Sequence, residues 1–187
     1  MGKAKKTIIF DFDGTLADTL PLVMLRIAHH LGISSLQTRL RMLLKTRPLM
    51  TARMGEVETF PGIIETVKNL HRSGAELIIL SSNYSRNVRL FLERYSLEEY
   101  FTDIRHCNVF YKAYALRRLV HSRKLDKAHC YYVGNEQLDI RAAKKSGLIA
   151  VAIGWSGSDE RALLAEQPDV LIHHPHELES FIAKDTV

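Results

Sequence analysis

Asp11 and Asp13 stand two residues apart at the end of the apolar run Thr7-Ile8-Ile9-Phe10, and Gly14 and Thr15 follow at once. In an extended segment, side chains at i and i+2 point to the same side. The two carboxylates therefore converge on one point where the expected strand ends. Such a pair can hold a hard cation, or divide into a nucleophile and a general acid/base. Taken alone, Asp-Gly after a strand is also a common turn signal.

Open α/β sheets bind ligands at the carboxyl ends of their strands. If Asp11 is functional, other strand ends should carry polar groups, and they do. Ser81-Ser82-Asn83 closes a second apolar run. A hydroxyl there can donate to a phosphoryl oxygen, and turn N–H groups add further donors; in isolation the same residues are a cap or turn. Lys112 opens a helical stretch and offers a cation, with Arg105 and Lys124 as competitors. Gly134-Asn135-Glu136-Gln137-Leu138-Asp139 follows another apolar run.

The elements that would position these groups alternate along the chain. Strands are expected at Thr7–Asp11, Glu76–Leu80, Asp103–Cys107, Cys130–Val133, Ile149–Ile153 and Asp169–Ile172. Helical spacing marks Pro61–Arg72, Asn87–Tyr95, Lys112–His121, Glu136–Ser146, Asp159–Glu166 and His176–Ile182. Short continuous apolar strands between helices imply an α/β fold, a Rossmann-like parallel sheet with helices on both faces. The stretch 20–59 breaks the alternation and holds no strand pattern. Leu22, Leu25, Ile27 and Leu31 suggest one helix, and Leu36, Leu40, Leu43 and Leu44 another, broken near Pro48.

With 187 residues, the chain is long enough for one domain with a substantial core and a small insertion. Hydrophobic residues make up 46%, which is ordinary for a globular protein. No apolar run is long enough to span a membrane, and Met1–Lys6 lacks a signal core. Cys107 and Cys130 have neither metal nor redox spacing and read as small buried residues. The expectation is a cytoplasmic protein without membrane insertion. The net charge of +5 raises nucleic-acid binding, but the charge is dispersed and no basic-aromatic motif appears, so no nucleic acid is expected. One concentration stands out: Arg39, Arg41, Lys45, Arg47 and Arg53, either an anion-steering patch or a solvated helix face. His173, His174 and His176 read as a solvated loop, and Trp155 as a wall of the site mouth or a residue packed on the sheet.

Phe10-Asp11-Phe12-Asp13-Gly14-Thr15, extended through Leu16-Ala17-Asp18-Thr19, resembles the first motif of the haloacid dehalogenase (HAD) superfamily. Ser81, Lys112 and the Gly134–Asp139 segment follow in the order of that superfamily's remaining motifs. The likeness runs from Ile8 to about Leu178, including Phe60-Pro61-Gly62 and Ile153-Gly154-Trp155, and is greatest to the phosphoglycolate-phosphatase branch. It implies a HAD core of about 1–19 and 60–187 with a short helical cap at about 20–59. It also implies a magnesium-dependent phosphatase working through an aspartyl-phosphate, with Asp11 as nucleophile and Asp13 as acid/base. Ser81, Ser82 and Lys112 would bind phosphate. Mg2+ would be held by Asp11, the backbone of Asp13 and Asn135, with Thr15, Glu136 and Asp139 in support. The chain departs from the family pattern at Asn135, where a magnesium-ligating aspartate is usual; an amide brings no charge, and weaker metal binding follows. The substrate would be a phosphorylated small molecule. A phosphoprotein, for instance a phosphotyrosine substrate in an open site, is the second expectation, and a weakly active binding protein the third.

Overall fold

The computed structural model describes residues 5–19 and 51–184. Its centre is a six-stranded sheet in the order β5-β4-β1-β6-β7-β8. The strands are β1 (Thr7–Phe10), β4 (Glu76–Ser81), β5 (Phe101–His106), β6 (Cys130–Gly134), β7 (Ile149–Ile153) and β8 (Val170–Ile172). Every pairing is parallel. The helices are α1 (Ile63–Arg72), α2 (Ser85–Arg94), α3 (Lys112–Arg123), α4 (Gln137–Ser146), α5 (Glu160–Ala165) and α6 (Pro175–Lys184). The α/β architecture expected from the sequence is therefore present, and each strand and helix anticipated outside the stretch 20–59 is in place to within a few residues.

Alternation along each strand divides the core into two layers. Ile8, Phe10, Leu77, Ile79, Tyr131 and Val133 face one side, with Ile63 and Val67 of α1, Phe91 of α2 and Leu178 of α6. Ile9, Ile78, Leu80 and Tyr132 face the other, with Leu116 of α3 and Ile140 and Ala143 of α4. Because both faces are covered, the strands carry unbroken apolar runs. Cys107 and Cys130 are free and buried, in line with the sequence reading.

From β1 the sheet is extended through β4 to one edge, and from β6 through β7 to the other. The crevice where the winding reverses therefore lies between the ends of β1 and β6, the usual place for a ligand in such a sheet.

One element corrects the sequence reading. The stretch 20–59 was expected to hold no strand, yet Glu58–Thr59 (β3) pairs antiparallel with Ala17–Asp18 (β2). A two-residue strand is too short to show alternation; it forms because the chain leaves and returns at the same place. The Thr59 hydroxyl donates to the Leu16 carbonyl at 3.1 Å. On the return side, Arg94 and the Tyr95 hydroxyl both donate to the Val57 carbonyl, at 2.8 and 3.1 Å. The expected cap helices, and the basic residues Arg39, Arg41, Lys45 and Arg47, lie outside the described residues. Arg53 forms an exposed pair with Glu56.

Candidate active site

Asp11 is the first residue beyond β1, and its N–H donates to the Val133 carbonyl of β6 at 2.9 Å. This bond carries the sheet register one step further and places the buried Asp11 carboxylate at the crevice. After it the chain turns sharply: the N–H groups of Leu16 and Ala17 both reach the Phe12 carbonyl. Gly14 makes that turn at φ +75°, and a Cβ there would stand 2.4 Å from Nδ2 of Asn135. Glycine is thus needed twice at this position, for its backbone and for its lack of a side chain.

Lys112, at the start of α3, is the sequence candidate that reaches the crevice. Its Nζ lies 3.2 Å from Asp11 Oδ2 and 2.5 Å from Asp139 Oδ1, and the side chain is 3% exposed. Burial alone would push this ammonium toward neutrality, but Asp11 and Asp139 outweigh it and hold the pKa well above the usual lysine value. The competitor Arg105 instead pairs with Asp103 on the surface.

Asp139 is fully buried and fixed from several sides. Its Oδ2 accepts from the Glu136 N–H at 3.0 Å, capping α4. The Tyr132 hydroxyl lies 3.4 Å from Asp139 Oδ1 and 3.3 Å from the Leu80 carbonyl. Gly134 lets this carboxylate pack close to the strand end, since a Cβ there would come within 2.5 Å of Asp139 Cγ.

The remaining groups gather at the same edge. Ser81 ends β4 and is buried; its Oγ accepts from the Asn83 N–H at 3.0 Å, so its own proton can serve a phosphoryl oxygen. Ser82 follows, half-buried. Asp13 accepts from Asn83 Nδ2 at 2.9 Å. Asn135 accepts from the Thr15 hydroxyl at 3.3 Å and donates to Ser158 Oγ at 3.3 Å. Trp155 packs against the core and donates from Nε1 to the Thr15 carbonyl at 3.1 Å, tying the loop after β7 to the loop after β1. His173 and His174 are exposed at the end of β8, and His176 lies in the first turn of α6.

Electrostatically, the crevice is short of positive charge. Burial pushes the Asp11 carboxyl well above its usual 3.8; Lys112 pulls it down, while Asp139, Asp13 and Glu136 push it up again. A hard cation would relieve this imbalance. Among the described residues, no three His, Cys, Asp or Glu side chains are grouped to hold a metal by themselves. The oxygen donors gathered there include the Asp11 and Asp13 carboxylates and the Asn135 amide. That set suits Mg2+, which takes one or two carboxylates and completes its shell with water and substrate phosphate.

Asn83, Asn87, Tyr132 and Ser158 were not assigned roles from the sequence. Asn83 was visible beside Ser81, but its contact with Asp13 spans 70 positions.

A haloacid dehalogenase-like hydrolase family model matches residues 37–153. A phosphoglycolate phosphatase from Synechococcus elongatus is 32% identical over 92% of this chain and 95% of its own length. The chain belongs to the haloacid dehalogenase-like hydrolases. Another phosphoglycolate phosphatase, from Mesorhizobium japonicum, is 25% identical over 91% of this chain and 92% of its own. In fold, this hydrolase is similar to a haloacid dehalogenase-like family protein from Streptococcus pneumoniae (TM-score 0.79, 20% identity, 95% of this chain and 98% of that one). It is equally similar to a predicted phosphatase from Clostridium acetobutylicum (TM-score 0.80, 17% identity, 97% and 99%). No helix among the described residues is long and apolar enough to cross a membrane.

Proposed function

We propose that this HAD-like hydrolase is a magnesium-dependent phosphatase that cleaves the phosphate monoester of a small phosphorylated metabolite through an aspartyl-phosphate on Asp11. The observation that carries this reading is the buried Asp11–Lys112–Asp139 chain at the crevice. A lysine between two buried carboxylates is held charged. One of those carboxylates stands at the strand end, where a nucleophile can meet a ligand. The names of the relatives from Synechococcus elongatus and Mesorhizobium japonicum favour phosphoglycolate or a similar alkyl phosphate.

In this mechanism Asp11 attacks phosphorus, the ester P–O bond breaks, and the leaving oxygen takes a proton from Asp13. Water then attacks the phosphorus of the aspartyl-phosphate as Asp13 accepts its proton, and inorganic phosphate leaves with the Asp11 carboxylate regenerated. Ser81, Ser82 and Lys112 bind the phosphoryl oxygens and offset the charge that develops on them. Mg2+, held by Asp11, the Asp13 carbonyl and Asn135, would neutralise charge between the phosphate and the attacking carboxylate. Asp139 keeps Lys112 in place, and Thr15 and Glu136 support Asn135 and the start of α4.

The test is phosphate release from 2-phosphoglycolate, sugar phosphates and phosphopeptides, with and without Mg2+. Turnover of a small ester, stimulated by Mg2+ and abolished in Asp11→Asn, is expected. Activity retained in Asp11→Asn would remove the nucleophile assignment. Asn135 favours a second reading, a HAD scaffold with little turnover used for binding, and absence of hydrolysis across the whole panel would select it.

A further inference from the structure

Asn83 is buried on the turn after β4, and each of its polar groups has a partner. Its Nδ2 donates to Asp13 Oδ1 at 2.9 Å. Its Oδ1 accepts from the Tyr84 N–H at 2.8 Å and from Asn87 Nδ2 at 2.9 Å. The Asn83 N–H reaches Ser81 Oγ, and its carbonyl lies 2.9 Å from His106 Nδ1.

This pattern decides the amide orientation. A backbone N–H can only donate, so the group facing Tyr84 must be the oxygen. The NH2 group must then face Asp13. An amide NH2 can only donate, so Asp13 Oδ1 is kept as an acceptor and a proton on Asp13 belongs on Oδ2.

Asn87 gives independent support. It is 1% exposed, and among the described residues its Oδ1 has no hydrogen-bond partner. A buried carbonyl left unpaired carries a penalty that a hydrocarbon of similar size would avoid. Its NH2 group, however, holds Asn83 in the orientation that serves Asp13.

We infer that Asn83, braced by Asn87, is a positioning residue that orients the Asp13 carboxyl so that Oδ2 delivers the proton to the leaving oxygen. This rests on the acid/base reading of Asp13 and adds the group that aims it. The inference makes a chemical prediction that a structural role alone would not. Proton delivery matters most when the leaving group is a poor one. Alkyl phosphates need the acid; p-nitrophenyl phosphate, whose leaving group is already a stable anion, barely does.

The experiment compares kcat/KM for 2-phosphoglycolate and p-nitrophenyl phosphate in the full chain with Mg2+. The variants are Asn83→Leu, near in volume, and Asn83→Ser, which removes the contact without burying an apolar group. We expect kcat/KM on the alkyl ester to fall about ten- to a hundredfold, and on p-nitrophenyl phosphate by less than about threefold. Asn87→Leu should show the same bias at smaller amplitude. Equal losses on both esters in the folded variants would overturn the inference. Asp13→Asn, measured alongside, separates the two levels. If Asp13→Asn shows the leaving-group bias and the Asn83 variants do not, only the positioning role falls. If Asp13→Asn itself shows no bias, the acid/base reading falls and the positioning role with it.

Discussion

The Lys112 ammonium lies 2.5 Å from Asp139 and 3.2 Å from Asp11, so one buried cation serves two buried carboxylates. Breaking a buried pair by removing one partner leaves an uncompensated charge and typically costs about 3–5 kcal/mol. Lys112→Met should therefore lose that much stability in urea unfolding as well as its phosphatase activity. The double variant Lys112→Met/Asp139→Asn, with one carboxylate neutralised, should recover part of the stability. No recovery would show that the loss comes from packing and not from stranded charge.

Gly134 makes room for the Asp139 carboxylate. Gly134→Ala places a Cβ 2.5 Å from Asp139 Cγ and Oδ2, so either the carboxylate or the strand must shift. Overpacking of this kind costs about 1–3 kcal/mol. Gly55→Ala, where a Cβ meets nothing within 4 Å among the described residues, is the control and should be close to neutral. Thermal melts of the two variants test this, and indistinguishable midpoints would contradict the close approach.

Asn135 is expected to limit metal affinity. Asn135→Asp adds a carboxylate at the end of β6, while the Thr15 hydroxyl keeps an oxygen to donate to. Mg2+ should bind about tenfold tighter by calorimetry, since affinity for hard cations rises with ligand charge. An unchanged dissociation constant would take Asn135 out of the metal site. The measurement needs no substrate and so does not depend on turnover.

Glu76, at the start of β4, provides a pH test away from the crevice. Burial raises its pKa, but hydrogen bonds from Lys5 and Thr102 and the charge of Arg123 outweigh this and lower it below the usual 4.5. A carboxylate with a depressed folded pKa stabilises the protein above its unfolded pKa, and this contribution is lost as pH falls through the folded value. Wild type should exceed Glu76→Gln in stability by about 1 kcal/mol at pH 7, given the exposure of Lys5. The gap should close below about pH 4. A gap of constant size between pH 7 and pH 3 would mean that the ionised form is not what stabilises.

The unbroken apolar runs of β1, β4, β6 and β7 announce a sheet buried on both faces, because such runs are stable only under helices on each side. The place of Asp11 and Asp13 just beyond β1 was legible too, since an apolar strand and the Gly-Thr that follows are local properties. Strand order decided the rest. Lys112 was separated from Arg105 and Lys124 only when α3 packed beside α4 and brought its first residue to Asp139, 27 positions on. The Asn83–Asp13 contact, the Trp155 bond to Thr15 and the β2–β3 pair span 70, 140 and about 40 positions. No periodicity encodes such contacts: each depends on where the sheet sets two loops side by side. The sequence by itself determined which residue types meet at the strand ends. The tertiary structure determined which atom of each faces which, because hydrogen-bond direction is settled only when donors and acceptors are brought within about 3 Å of one another.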